Sequence, residues 1–333
     1  MLALEVICLR VMMISHFRQS RMMNHIFSLA AELNRQGYEA AVVVAGCPAA
    51  YRDLLRRYHR LFPCFAEDSP AEIIKLLRYY RPQLLHLHAL PPGDTLARLL
   101  HACPVPWGLT AHDRSLPAGP FAASPGPSFV IMPHPAAAAL PAALQEKTCF
   151  IPEGIDLEEY RPLEKEGFKV AFILEQDNPE NEAGAVLLKA AALADIEVEL
   201  ISPRPLPLLK GRFHGWPLEC SAVLGRSRIV AGCRRGLLEG MACGSAALIM
   251  GRGYGGIFTP QQHRAALPFP DLSGERAEAP CYRSIFFDLA ALLKDRPLLQ
   301  SLQEQGRKFI RENCDLRLVA ERTGRLYNRI VEG

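Results

Sequence analysis

Two arginines and a glutamate in the segment Arg226–Pro260 have the types and spacing of an anion-binding site. Arg234 and Arg235 open a helix predicted to end near Cys243, and Glu239 follows Arg235 by four residues, on the same helix face. Cations in a first turn oppose the helix dipole, so a bound anion would relieve an unfavourable placement. The alternative is a solvated Arg235–Glu239 surface pair, worth only about 0.3–0.5 kcal/mol.

The elements around these residues predict a strand–helix–strand unit. Strands are predicted at Ser227–Val230 and Ala246–Met250, with a small-residue turn at Ala231–Cys233 and a glycine-rich loop after the second strand. In such a crossover, phosphates lie at the helix N-terminus, where unpaired backbone N–H groups point outward. Gly232 in the turn is therefore a further candidate nucleotide-binding residue.

Length and composition limit the classes of protein that the chain can represent. Its 333 residues suggest two domains, and its composition, 49% hydrophobic and 22% charged, is that of an ordinary globular protein. The net charge of +3 indicates neither a nucleic-acid partner nor a strongly acidic one. No apolar run reaches the roughly 18–20 residues that span a bilayer. Glu5 and Arg10 interrupt the apolar N-terminus, which favours a first strand over a signal peptide.

The ten cysteines predict neither a zinc site nor a disulfide framework, because no two are spaced as CxxC and most lie in apolar segments. Buried free thiols in a reducing cytoplasm are the expectation. Cys233 alone precedes a helix N-terminus near arginines, where a thiol pKa can be lowered. A structural thiol is the simpler interpretation of it.

Short apolar strands alternate with helices, which predicts an α/β fold with parallel sheets covered by helices on both faces. In the first half, strands are predicted at 11–15, 39–45, 83–88, 107–111 and 129–132, with helices at 22–36, 71–80 and 96–102. In the second half, strands are predicted at 169–174 and 197–202, with helices at 182–194, 284–293, 297–313 and 315–331.

Ligands of such sheets bind beyond the carboxyl ends of the strands. The polar residues expected there are Ser15, His16, His86, His88, His112, Asp113 and His134. A histidine beside a carboxylate can be oriented by it, which favours His112 with Asp113; the alternative is a turn in which Asp113 caps the next segment. His86 and His88 share a strand face, so one of them is expected in the core. A metal site needs a third ligand that the sequence does not name, so no metal is expected.

The segment FIPEGIDLEEYRP (150–162) resembles the "pNGiDlerFrp" linker of the retaining glycosyltransferases of the GT-B fold, in particular their family 4. PQLLHLHAL is similar to that family's "PDvvHaH" strand, WGLTAHD to its "vvtvHD" strand, and LLEGMACGSAALIMGRGYGG to its "lLEAMAcGtPVvatdvGG" block. The helical ending, residues 303–330, resembles the family's last helices. The resemblance covers nearly the whole chain.

This resemblance implies two Rossmann-like domains facing each other across a cleft. It implies an N-terminal, acceptor-side domain at 1–150, a linker at 151–163, a nucleotide-sugar-side domain at 164–312, and a C-terminal helix at 313–333 that packs back on the first domain. Carried over to this sequence, Glu239 accepts hydrogen bonds from the donor's ribose hydroxyls, a task suited to a carboxylate. His112 contacts the donor sugar at the reaction centre. In the family the leaving diphosphate assists the incoming hydroxyl, so no metal, cofactor or protein nucleophile is implied.

Three positions depart from the family pattern. Ala231 stands where the family has a first glutamate, and LEQDNPENEAG carries no cation before Lys189 where the family has an Arg and a Lys for the diphosphate. SHFRQSRMMN replaces the glycine-rich loop after the first strand. Arg234, Arg235 and Arg252, with Arg18 and Arg21 from the replaced loop, are expected to supply the missing positive charge.

The leading prediction is a cytoplasmic, metal-independent glycosyltransferase that binds a nucleotide-sugar in the interdomain cleft and transfers the sugar with retention to an unknown acceptor. One alternative is a degenerate, non-catalytic relative that binds ligands or partners, which Ala231 and the acidic 175–182 segment favour. A nucleotide-sugar epimerase is a third. Peripheral membrane contact by the basic, apolar stretch Met12–Phe27 is a further alternative, although a buried face explains the same pattern.

Overall fold

The computed structural model describes most of the chain. The described residues are 8–17, 22–67, 69–91, 93–112, 126–134, 142–174, 180–202, 205–206, 210–215, 220–251, 253–260, 272 and 279–333. Within them the chain forms two compact units. Unit 1 contains the described residues up to Gly154 together with Leu316–Gly333, and unit 2 contains those of Ile155–Asp315.

Unit 1 is a parallel sheet covered by helices. Its strands, in the order β3-β2-β1-β4-β5-β6-β7, all pair in parallel. The strands are β1 (Arg10–His16), β2 (Glu39–Ala45), β3 (Cys64–Ala66), β4 (Leu84–Leu87), β5 (Trp107–Thr110), β6 (Phe129–Met132) and β7 (Thr148–Phe150). The helices are α1 (Met22–Arg35), α2 (Arg52–His59), α3 (Pro70–Tyr80), α4 (Gly93–Ala102), α5 (Ala142–Gln145) and the last helix of the chain, α11 (Leu316–Glu332).

The last helix completes the core of unit 1. Val319, Ala320 and Tyr327 of α11 are buried in the same apolar cluster as α1, β1 and β2. A β-carbon on Gly324 would lie 2.4 Å from the Tyr38 hydroxyl oxygen, so only glycine allows this close approach. The predicted return of the C-terminal helix to the N-terminal domain is therefore confirmed.

Unit 2 has a second sheet, in the order β10-β9-β8-β11-β12-β13. All its pairs are parallel except β12 with β13. The strands are β8 (Lys169–Ile173), β9 (Glu197–Ile201), β10 (Gly211–Phe213), β11 (Ile229–Gly232), β12 (Ala246–Met250) and β13 (Tyr254–Ile257). The helices are α6 (Glu180–Leu193), α7 (Ser221–Arg226), α8 (Arg234–Ala242), α9 (Tyr282–Lys294) and α10 (Arg296–Asn313).

The fold class predicted from the alternating strands and helices is confirmed by the two sheets. Two local predictions in unit 2 are wrong. Ala231 and Gly232 belong to strand β11 rather than to a turn, because Gly232 continues the ladder beside Ile249. The glycine-rich segment after β12 contains strand β13, which pairs antiparallel with β12 at the edge of the sheet.

The apolar residues of Met12–Phe27 that the structure describes are buried in unit 1. Met12, Met13, Met23, Ile26 and Phe27 have no exposed surface. Membrane contact through these side chains is therefore wrong, and the buried face explains their pattern. Among the described helices, none has the length and apolar character needed to cross a membrane.

Candidate functional site

In unit 1, four neighbouring parallel strands each end shortly before a titratable residue. His88 follows β4, His112 follows β5, His134 follows β6 and Glu153 follows β7. Since the carboxyl ends of parallel strands meet at one edge of the sheet, side chains far apart in sequence come together there. His25 on α1 joins them, with its ring 5.7 Å from that of His112 and 6.1 Å from that of His88.

A hydrogen-bonded chain connects three of these residues. The Oε1 atom of Glu153 lies 3.1 Å from Nδ1 of His112, and Nε2 of His112 lies 3.1 Å from Nδ1 of His88. The Glu153 and His112 side chains are only 5% and 8% exposed, so water does not screen their interaction. An ionised carboxylate can only accept, so His112 Nδ1 donates, and Glu153 thereby orients the His112 ring.

His86 lies inside β4 rather than past its end, and it is the core histidine that the sequence predicted for this pair. Its Nδ1 is 2.5 Å from the Tyr327 hydroxyl and its Nε2 is 2.8 Å from Oγ1 of Thr110. Both hydroxyls can donate or accept, so a neutral imidazole is fully satisfied. The ring centroids of His86 and His88 are 4.2 Å apart, which confirms that the two share a strand face.

Burial sets the protonation of this cluster. Burial, together with the nearby His112, lowers the pKa of His86 to about 3. Burial and the surrounding imidazoles lower the pKa of His88 well below its ordinary value. Burial alone would raise the pKa of Glu153, but the hydrogen bond from His112 and the nearby His134 and His25 outweigh it and hold that pKa below its usual range. His86 and His88 are therefore neutral near pH 7, and Glu153 is ionised.

The sequence predicted Ser15 and His16 just past the end of the first strand. This prediction is wrong, because they are the last two residues of β1. Ser15 is fully buried, and its Oγ donates to the carbonyl oxygen of His16 at 3.1 Å.

The predicted partner of His112, Asp113, lies outside the described residues, as do Arg18, Arg21 and Arg252. Glu153 was missed by the sequence reasoning. The available signal was a glutamate at the position where the family linker has asparagine.

In unit 2, the predicted helix begins at Arg234 and ends at Ala242 as α8. It packs unusually close to the sheet, since a β-carbon on Gly240 would lie 2.5 Å from the side chain of Val230. Gly232 has a φ of 155°, and a β-carbon there would lie 3.0 Å from the Ile173 carbonyl oxygen. Arg234 has a φ of 48°, a left-handed conformation that costs a residue other than glycine about 1–3 kcal/mol. The turn into α8 therefore carries backbone strain.

Arg235 and Glu239 form a buried ion pair. Nε of Arg235 donates to Oε1 of Glu239 at 2.9 Å, and the two side chains are 2% and 0% exposed. The solvated surface pair is therefore the wrong interpretation. Oε2 of Glu239 lies 3.8 Å from Sγ of Cys220, which is a weak donor. Ala231 is a fully buried core residue of β11 and brings no polar group to this place.

Two cations stabilise the opposite end of α8. Nζ of Lys165 donates to the carbonyl oxygen of Cys243 at 2.9 Å, and Nη1 of Arg307 donates to that of Ala242 at 2.5 Å. Burial lowers the pKa of Lys165 to about 8. Cations at a helix C-terminus complement its dipole, so α8 is fixed with its N-terminus at the carboxyl edge of the sheet.

A cavity of about 210 Å³ lies elsewhere on unit 2, lined by Lys169, the first residue of β8, and by Arg226 and Ser227 at the end of α7. Its charges already form pairs, such as Lys169 with Glu199 at 3.3 Å. Ligands of parallel sheets bind beyond the carboxyl ends of the strands, whereas this cavity borders the first residue of β8 and the middle of β9, so it is not the candidate site. Among the described residues, no group of three or more His, Cys, Asp or Glu side chains has a metal-binding arrangement.

No protein-family model matches the sequence, and no curated protein sequence does. Solved structures match over nearly the full chain. HepE of Anabaena, in complex with UDP and glucose, has a TM-score of 0.71 at 13% identity and covers 96% of this chain and 100% of its own. A glycosyltransferase from Rickettsia africae has a TM-score of 0.70 at 12% identity, covering 98% and 99%. The UDP-GlcNAc 2-epimerase of Neisseria meningitidis bound to UDP-GlcNAc has a TM-score of 0.58 at 11% identity, covering 96% and 100%. These similarities establish the GT-B type of fold.

The neutral histidines predict that unit 1 loses stability in acid. The unfolded chain binds protons at His86 near its ordinary pKa of 6.5, whereas the folded chain does so only near 3. The free energy of unfolding should therefore fall as the pH falls from about 6.5, by about 1.4 kcal/mol per pH unit for each such histidine. In His86→Gln the slope of the urea midpoint against pH should be shallower. The exposed control His101→Gln should keep the wild-type slope, and equal slopes in all three proteins would contradict the prediction.

The buried pair in α8 predicts a large cost for removing one partner. Arg235→Met leaves the Glu239 carboxylate buried, which should lower the free energy of unfolding by about 3–5 kcal/mol. The double variant Arg235→Met/Glu239→Leu should recover most of this loss. Arg325→Met breaks the exposed Glu321–Arg325 pair at the same spacing and should cost below about 1 kcal/mol. Equal urea midpoints for Arg235→Met and Arg325→Met would show that the α8 pair is solvated.

Proposed function

We propose that this protein is a glycosyltransferase that binds a nucleotide-sugar, with the nucleotide held by unit 2 at the N-terminus of α8. The observation that carries the proposal is the buried Arg235–Glu239 pair in this helix, which follows directly from the end of β11. Desolvating two charges costs several kcal/mol, and an apolar pair would fill the same volume at no such cost. A pair of this kind at the ligand-binding edge of a parallel sheet supports a role in ligand binding.

The roles of the residues follow from their chemistry. Glu239 would accept hydrogen bonds from the ribose hydroxyls, which are stronger donors than the Cys220 thiol near its Oε2. The backbone N–H of Arg234 donates to the Leu272 carbonyl oxygen at 2.8 Å, so the diphosphate would bind at the backbone N–H groups that follow it in the first turn of α8. Arg235 and, outside the described residues, Arg252 would add positive charge. The similarity to the fold of HepE, which was solved with UDP and glucose, supports a uridine nucleotide as the first donor to test.

In unit 1, the proposal assigns the sugar to the histidine cluster that contains His112. Transfer would proceed with retention and without a metal ion, as the resemblance to the retaining family implies. Imidazoles and a carboxylate suit hydrogen bonds to sugar hydroxyls. The acceptor would be a saccharide or small molecule.

The ten cysteines are all free thiols, which supports the expectation of a reducing cytoplasm.

Nucleotide binding tests the donor half of this proposal. Calorimetry with UDP, GDP and ADP should detect binding of one of them to the wild type. Glu239→Gln should weaken that binding by roughly 10- to 100-fold, the loss expected when a hydrogen bond to a charged group is removed. The double variant Arg235→Met/Glu239→Leu, expected to remain folded, should bind none. If no nucleotide binds the wild type at millimolar concentration, or if Arg235→Ala binds as tightly as the wild type, the site is wrongly assigned.

Epimerisation of a nucleotide-sugar is a second candidate, because unit 1 joins a carboxylate to several imidazoles, the acids and bases that such chemistry requires. The fold similarity to UDP-GlcNAc 2-epimerases also favours it. Incubation with UDP-glucose or UDP-GlcNAc separates the candidates. A transferase should release UDP, slowly by hydrolysis when no acceptor is present, and His112→Ala should abolish the release. Recovery of an intact C2 epimer would favour the epimerase, and no turnover despite tight UDP binding would favour the non-catalytic relative.

A further inference from the structure

The hydrogen-bonded series Glu153–His112–His88 has a buried polar atom without a hydrogen-bond partner at each of its two ends, among the described residues. Both ring nitrogens of His112 are engaged, Nδ1 with Glu153 and Nε2 with His88, each at 3.1 Å. His88 Nε2 and Glu153 Oε2 are buried, and within the described part of the chain neither has a hydrogen-bond partner. The residues themselves are only 3% and 4% exposed. The ring nitrogen without a hydrogen-bond partner in the described part of the chain therefore belongs to His88, not to His112.

The proton on His112 decides the polarity of that open nitrogen. Because Glu153 can only accept, His112 Nδ1 always carries a proton. When His112 is neutral, its Nε2 accepts from His88 Nδ1, and the Nε2 of a neutral His88 is a bare lone pair. When His112 is protonated, its Nε2 donates to His88 Nδ1, and His88 carries its own proton on Nε2. A single proton thus converts His88 Nε2 from an acceptor into a donor.

The other titratable groups facing this chain do not replace it. His25 of α1 packs edge-on against the rings of His88 and His112. His134, after β6, is close enough to Glu153 to help lower its pKa. His86 faces His88 from β4, and Tyr327 of α11 reaches the cluster only through His86.

A hydroxyl group is the ligand chemistry that satisfies both states. It can donate to the bare nitrogen or to Glu153 Oε2, and it can accept from the protonated nitrogen. A phosphate group only accepts, and it would face the negative charge of Glu153. We therefore propose that His88 Nε2 and Glu153 Oε2 each bind a hydroxyl group of a sugar, with His112 as the positioning residue between them. A role for this site in sugar transfer rests on the proposed function. Binding of a sugar hydroxyl to it can be tested without any turnover.

Imidazole ¹⁵N NMR of the wild-type protein reads the site directly, with the His88→Gln spectrum assigning the His88 resonances. The probes are glucose, UDP and UDP-glucose. Glucose and UDP-glucose should move the His88 Nε2 resonance towards its protonated value, because a hydroxyl donates to it, and UDP alone should not. A resonance that no sugar moves, or that UDP moves equally, overturns the site.

Glu153→Gln provides the variant test. Glutamine keeps the size and can still accept from His112 Nδ1, but it removes the charge. The dissociation constant for glucose should rise roughly 10- to 100-fold, as for the loss of a hydrogen bond to a charged group, while UDP affinity stays unchanged. His101→Gln, an exposed histidine in the last turn of α4, should match the wild type. Wild-type glucose affinity in a Glu153→Gln protein with an unchanged melting temperature overturns the role of Glu153.

The two proposals fail separately. If glucose moves the His88 signal but no nucleotide binds the protein, the hydroxyl site stands and the nucleotide site at α8 is wrong. If UDP binds and glucose leaves His88 unchanged, the nucleotide site stands and the hydroxyl site is wrong.

Discussion

A buried carboxylate must be paired, and the hydrogen bond from His112 to Glu153 is the contact on which the arrangement of unit 1 depends. It keeps the carboxylate ionised inside the protein, and it fixes which His112 nitrogen carries a proton. The protonation of His112 in turn determines whether Nε2 of His88 is a hydrogen-bond donor or an acceptor. His86 is the core-facing member of the cluster, and both of its ring nitrogens form hydrogen bonds, with Thr110 and Tyr327.

The parallel sheet makes this contact possible. Glu153 and His112 are 41 residues apart in sequence, and His88 is a further 24 residues away. Parallel pairing places the carboxyl ends of β4 to β7 along one edge, so the residues after each strand meet. The last helix contributes as well, since Tyr327 of α11 supplies the hydroxyl that holds His86. The histidine cluster of unit 1 therefore depends on the first sheet and on the last helix of the chain.

Unit 2 buries its charges in a different way. Arg235 and Glu239 are one helical turn apart, so local geometry alone brings them together. What the tertiary structure adds is burial, because the close approach of Gly240 to Val230 presses α8 against the sheet. Lys165 and Arg307 then hold the far end of the helix through its last carbonyl groups. A pair that would be weak in water becomes costly to break.

The sequence by itself determined the long elements and the α/β class. Strands β2, β6 and β12 begin and end where their apolar runs do, since a buried parallel strand reads as a continuous hydrophobic run. The three-residue strands β3, β7 and β10 were not predicted from the sequence, because so few residues, most of them exposed or half-buried, carry no such pattern. The eight-residue helix α2 was not predicted either. By type and spacing, the sequence also made His112, Arg235 and Glu239 candidate site residues. Only the tertiary structure decided that Glu153, not a neighbour in sequence, lies against His112, and that Arg235 and Glu239 are buried. Both outcomes depend on which surfaces the folded sheet covers, and hydrogen bonding and burial between distant residues leave no local pattern in the chain.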